Sequence, residues 1–132
     1  MSNNKLNLTD PNLKCSCRGF NLDKLLQPRI LQILSGEKMH GYGIVQALET
    51  MPLFREEKAD TAGIYRALST LQERGLVDFE WLLEDTGPAK KQYTITEDGK
   101  HCLQNWVQTL GEYTEALDAF LLRANRLVNR EK

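Results

Sequence analysis

Residues 61–99 read TAGIYRALSTLQERGLVDFEWLLEDTGPAKKQYTITEDG, and the hydrophobic period changes twice within them. Ile64, Leu68 and Leu71 recur at steps of four and three, the spacing of one buried stripe on a helix. Asp60 or Thr61 offers a cap in front of that stripe, and Gly75 closes it. Leu76, Val77, Phe79, Trp81 and Leu83 follow with partial alternation in β-prone residue types, then Asp85, Thr86, Gly87 and Pro88 signal a turn. Residues 91–96 read as the returning strand of a hairpin, with Tyr93 and Ile95 on one face. Thr96 followed by Glu97, Asp98 and Gly99 opens a further helix, because a hydroxyl cap and two acids suit the positive end of a helix dipole.

Upstream of this stretch, Leu22, Leu25, Leu26, Ile30, Ile33 and Leu34 recur at helical spacing, with Asn21 as a cap and Gly36 as a stop. Pro28 either kinks this first helix or sits in its first turn. A second, short helix fits residues 41–50, where Ile44, Val45 and Leu48 share a face. Met51 ends it, since the residue before a proline disfavours helical angles. Residues 53–60, LFREEKAD, form a charged connection, and residues 1–20 are a polar arm carrying Cys15 and Cys17.

Downstream, Leu103, Trp106, Leu110, Tyr113, Leu117, Phe120, Ala124 and Leu127 alternate steps of three and four. This heptad seam spans about 36 Å at roughly 1.5 Å per residue, more than a small domain needs to cover its own core. A partner helix, and so a homodimer, is one reading. Packing against the chain's own domain is the other, because Val107, Leu121 and Val128 broaden the stripe. The predicted fold is mainly α within the α+β class: a winged helix-turn-helix with a two-stranded β wing and a long C-terminal dimerisation helix. Its parts are the arm at 1–20, the winged domain at 21–97 and the dimerisation helix at 98–132.

Composition narrows the function classes. The 132 residues are 41% hydrophobic and 27% charged, ordinary for a globular chain. No run reaches the roughly 20 apolar residues of a membrane span, and the polar start lacks the apolar core of a secretion signal, so a cytoplasmic location without membrane contact is expected. A formal net charge of -1 rules against coating nucleic acid by charge alone, and any DNA binding must rest on local clusters. Gly-rich phosphate loops, the HExxH pattern and a convincing Ser/His/Asp order are all missing, so no enzyme is expected.

Five short segments add a resemblance: LQIL at 31–34, MHGYGI at 39–44, GIYRAL at 63–68, LQERGLV at 71–77 and KQYTITEDG at 91–99. In this order and at this spacing the chain resembles the PadR family of winged helix-turn-helix transcriptional regulators, closely over residues 26–103 and in character over the last helix. The resemblance implies a homodimeric regulator, typically a repressor, whose third helix enters the major groove of double-stranded DNA while the wing touches the flanking backbone. It also implies that Tyr42 faces the DNA backbone at the start of the second helix.

Local chemistry agrees with that assignment. Thr61, Ala62 and Gly63 are small enough for close approach to base edges, and Tyr65, Arg66, Ser69 and Thr70 lie off the buried face with groups able to meet phosphates or a guanine edge. For Tyr65 the competing reading is a phenol packed in the core. Lys90 and Lys91, beside the turn, are either phosphate contacts from the wing or solvated loop residues. His40 is expected to cap or support the second helix.

Two inputs are conceivable for such a regulator, and no cofactor is required. Trp106, on the seam with Leu103, Leu110, Tyr113, Leu117 and Phe120, either helps hold a small aromatic or apolar effector near a dimer interface or is a large core residue. Cys15 and Cys17, with Cys102, either share a soft metal or sense redox, or remain free thiols. The rival function is a winged-helix adaptor that binds protein and not DNA.

Overall fold

The computed structural model describes residues 25–51, 60–83 and 87–131. Its elements run α1 (Leu26–Gly36), β1 (Met39–His40), α2 (Gly41–Thr50), α3 (Thr61–Glu73), β2 (Val77–Leu82), β3 (Lys90–Ile95) and α4 (Glu97–Val128). A 3-10 turn, Asn129–Glu131, ends the described chain. Pro28 is buried in the first turn of α1, where a helix has no use for the missing N–H, so the helix begins without a kink. Asn21 and Leu22, expected at its start, lie outside the described residues, as does the arm with Cys15 and Cys17.

Each of the next three helices is started by a side chain that accepts an otherwise unpaired amide. His40 Nδ1 takes the Gly43 N–H at 3.0 Å, Asp60 Oδ2 takes the Gly63 N–H at 3.3 Å, and Thr96 Oγ1 takes the Gly99 N–H at 3.0 Å. The third helix ends on a left-handed Gly75 with φ of 74°. There the Leu76 N–H donates to the Leu71 carbonyl at 2.9 Å and the Gly75 N–H to the Gln72 carbonyl at 3.0 Å, which satisfies two end carbonyls and turns the chain into β2.

The strands form one antiparallel sheet in the order β1, β3, β2. Trp81 lies opposite Lys91, Phe79 opposite Tyr93 and Val77 opposite Ile95. The expected two-stranded wing therefore carries a third strand at its root, where Met39 pairs with Tyr93 and His40 with Gln92. Two residues contain no readable period, and their extended state is set by the free edge of β3.

One core joins these layers. Ile30, Leu31 and Leu34 of α1 meet Ile44, Val45 and Leu48 of α2, Ile64, Ala67, Leu68 and Leu71 of α3, and Val77 and Tyr93 of the sheet. Truncating one of the fully buried leucines, Leu31 or Leu68, would leave a cavity costing about 2–5 kcal/mol. Cys102, Leu103 and Trp106 of α4 pack against this core from outside and are half-buried. Beyond Gly111 the helix is exposed apart from half-buried Ala124, so Tyr113, Leu117, Phe120, Leu121 and Leu127 reach solvent. Among the described residues no helix is long and apolar enough to cross a membrane.

The junction between α3 and α4 is tight. Thr96 Oγ1 donates to the Gly75 carbonyl at 2.7 Å, and the Thr96 N–H donates to the Leu76 carbonyl at 3.1 Å. Gly99 is buried against that same Leu76 carbonyl, and a Cβ on it would overlap the carbonyl oxygen, far closer than van der Waals contact. Because the neighbour is backbone, relief would require α4 to move. Gly99→Ala is thus expected to lower stability by about 2 kcal/mol, seen as a lower urea midpoint with little change in slope.

Candidate nucleic-acid interface

A cleft of about 520 Å³ opens between the start of α2, the outer face of α3 and the near edge of the wing. Its lining is His40, Gly41, Tyr42, Tyr65, Ser69, Lys90, Lys91 and Tyr93. Helical spacing puts Tyr65 and Ser69 on one side of α3, away from Ile64, Leu68 and Leu71. Tyr65 is 42% exposed and Tyr42 63% exposed, so neither phenol belongs to the core. Five of the residues singled out by sequence, Tyr42, Tyr65, Ser69, Lys90 and Lys91, are brought together here from three separate elements.

Electrostatically the cleft suits an anion. Two lysines line it, and the first turn of α2 carries no acidic residue to neutralise the positive helix end. By contrast α4, whose start is packed against the rest of the fold, has Glu97 and Asp98 in its first turn. Lys91 is held in place: its ammonium sits 4.3 Å from the Phe79 ring centroid and 5.4 Å from that of Trp81. Phe79 and Trp81 themselves meet edge to face at 6.0 Å. Such contacts are worth about 0.5–1 kcal/mol at exposed sites, enough to bias a lysine and weak enough to yield to a phosphate.

The remaining predicted residues sit beside the cleft. Thr61 and Ala62 are exposed at the start of α3, and Gly63 is half-buried with its N–H committed to Asp60. Arg66 reaches back to Asp60 at 3.7 Å, an ion pair with both side chains 74% exposed. Water screens that pair, so its guanidinium is readily re-paired. Thr70 is half-buried and its hydroxyl donates to the Arg66 carbonyl at 3.1 Å, which leaves it less free to meet DNA than its position on the helix suggested. Sequence alone does not place His40, Gly41 or Tyr93 in the cleft. Tyr93 carried a signal, since it follows Lys91 by two residues and so shares its face of the strand.

A second concavity, an apolar groove of about 550 Å³, runs between α1 and α4. Leu103, Trp106, Val107 and Leu110 form one wall, with Leu25, Pro28, Arg29 and Gln32 opposite and Met51 from the end of α2. Trp106 is thus packed against the core on one side and borders an open groove on the other. Tyr113, Leu117 and Phe120 continue its line along α4 beyond the groove. Cys102 is a free, half-buried thiol. Among the described residues no three His, Cys, Asp or Glu side chains cluster as metal ligands, and the expected partners Cys15 and Cys17 lie outside those residues.

Comparison with known proteins agrees with this architecture. The family model described as the transcriptional regulator PadR-like family matches residues 30–105. The negative transcriptional regulator PadR of Bacillus subtilis is 30% identical over an alignment of 107 residues that covers 76% of this chain and 56% of that protein, so the chain spans little more than half the length of that relative. The crystal structure of Bacillus subtilis PadR in complex with operator DNA superposes with a TM-score of 0.57 at 30% identity, over 64% of this chain and 47% of that one. A PadR-like transcriptional regulator from Bacillus cereus gives a TM-score of 0.64 at 26% identity, over 76% of this chain and 94% of that one.

Tyr93 is the buried tyrosine of the cleft, 6% exposed. Burial raises its phenol pKa above the ordinary 10.0, and neighbouring Tyr65 pushes in the same direction. The neutral form is therefore favoured in the folded state. Its contribution to stability is complete below pH 10.0, where both states are protonated. It is lost as pH rises through the folded value, because the unfolded chain ionises first. Urea midpoints measured at a series of pH values on either side of 10 should fall less steeply above pH 10 for Tyr93→Phe than for the parent chain.

Proposed function

The chain belongs to the transcriptional regulator PadR-like family, and from that footing we propose that it is a sequence-specific DNA-binding repressor acting as a homodimer on a palindromic operator. The observation that carries this reading is the single cleft where Tyr42, Tyr65, Ser69, Lys90 and Lys91 converge from α2, α3 and the wing. The DNA-bound relative, 30% identical, supports it. In this reading α3 enters the major groove, with Thr61, Ala62 and Gly63 allowing close approach and Tyr65, Arg66 and Ser69 supplying hydrogen bonds. Lys90, Lys91 and the first turn of α2 meet flanking phosphates. These contacts are local, which reconciles binding with a net charge of -1.

Dimerisation follows from the far half of α4. A helix of 32 residues that leaves Tyr113, Leu117, Phe120, Leu121 and Leu127 in water exposes more apolar surface than a monomer tolerates. A second copy of α4 covers that seam, and two-fold symmetry then matches a palindrome. The same dimer encloses the open side of Trp106. A small aromatic or apolar effector seated in the α1–α4 groove releases the DNA by bearing on α1 and on the Met51 end of α2.

Two measurements test this. In mobility-shift assays on the duplex upstream of its own coding region, the chain gives a shift that weakens with salt, and Lys91→Ala reduces the salt slope by about one unit. The lack of any salt-sensitive shift at micromolar protein would favour an adaptor that binds protein. By light scattering, Leu117→Asp runs as a monomer and loses operator binding, and an unchanged dimer mass would overturn the assigned interface.

A further inference from the structure

Gly41 is the first residue of α2, directly after the His40 cap, and its helical backbone makes no demand for glycine. It is nonetheless buried, although Tyr42 beside it is exposed. What covers it is Tyr65. A Cβ at position 41 would stand 2.7 Å from Tyr65 Cε1, 3.0 Å from its hydroxyl oxygen and 3.2 Å from Cζ. Carbon atoms rest at about 3.5–4.0 Å from one another, so the outer half of the phenol occupies the space that a side chain would take. The tip of the ring is bedded on the α2 backbone while the residue as a whole remains partly open to the cleft.

We propose that Gly41 is a positioning residue for DNA binding: by lacking a side chain it forms the seat that holds the Tyr65 hydroxyl at the cleft. This rests on the DNA-binding reading given above. The contrast with Gly99 shows why a purely structural role does not account for it. At Gly99 the obstacle is a backbone carbonyl and the fold itself would have to shift, whereas at Gly41 it is the end of a partly exposed side chain that can swing away. Alanine at a helix position is, moreover, favoured over glycine by intrinsic propensity. The fold would accept the added methyl group; the tyrosine would lose its place. A seated ring meets its target already ordered and forgoes little rotamer freedom on binding.

The test uses the full chain and the upstream duplex as probe, with the parent, Gly41→Ala, Tyr65→Ala and the double variant compared by fluorescence anisotropy and thermal melting. Gly41→Ala is expected to melt at or above the parent temperature and to bind about tenfold more weakly, the effect of displacing one hydrogen-bonding side chain. The double variant should bind no worse than Tyr65→Ala alone, because the glycine acts through the tyrosine. Parent-like affinity of Gly41→Ala, a markedly lower melting temperature, or an equal further loss in the Tyr65→Ala background would each overturn the inference. A parent chain that fails to bind the duplex at all overturns instead the DNA-binding reading beneath it.

Discussion

The contact on which the fold depends is the one between the end of α3 and the start of α4. Thr96 bridges it with one hydroxyl, donating to the Gly75 carbonyl and accepting from the Gly99 amide, while its own N–H binds the Leu76 carbonyl. The left-handed turn at Gly75 aims the chain into the sheet, and the missing side chain of Gly99 lets α4 sit on the carbonyl that this turn exposes. Three elements are tied at one point: α3, the root of the wing and α4. The direction of α4 relative to α3 is set there by backbone contacts that cannot flex as side chains do.

From that junction the two concavities acquire a fixed relation. The first helix packs against α2, α3, α4 and β3, and its outer face, with Pro28, Arg29 and Gln32, forms one wall of the apolar groove. The second helix reaches from that groove, which Met51 borders, to the cleft, which Gly41 and Tyr42 line. One short rigid rod therefore touches both sites. The wing lends Lys90, Lys91 and Tyr93 to the cleft, and one face of it is graded: Val77 and Tyr93 are buried, Phe79 and Lys91 are half-buried, and Trp81 is exposed at the open end. The aromatic rings on this face serve the core at one end and orient a cation at the other.

Much of the architecture was legible in short segments. Caps at Asp60 and Thr96, the stop at Gly75 and the stripe Ile64, Leu68, Leu71 are local features, since capping and helical period operate over three or four residues. Tyr65 and Ser69 could be placed off the buried face by the same period. Less was legible where a partner distant in the chain decides the outcome. The two-residue strand β1 exists because β3, some fifty residues further along, offers it an edge. His40 read as a capping residue, which it is, but its second position, in the wall of the cleft, depends on where β3 runs.

The order of helices and strands, their boundaries to within a few residues and the long apolar seam of α4 are properties of the chain alone, because hydrophobic period and end-capping are written into neighbouring residues. The convergence of Tyr42, Tyr65 and Lys91 on one cleft is not. Nor are two close approaches between distant elements that a missing side chain permits, Gly99 to the Leu76 carbonyl and Gly41 to the Tyr65 ring. These were decided by packing, for the atoms that meet there belong to elements far apart in the chain, and a close approach between them has no local pattern to announce it.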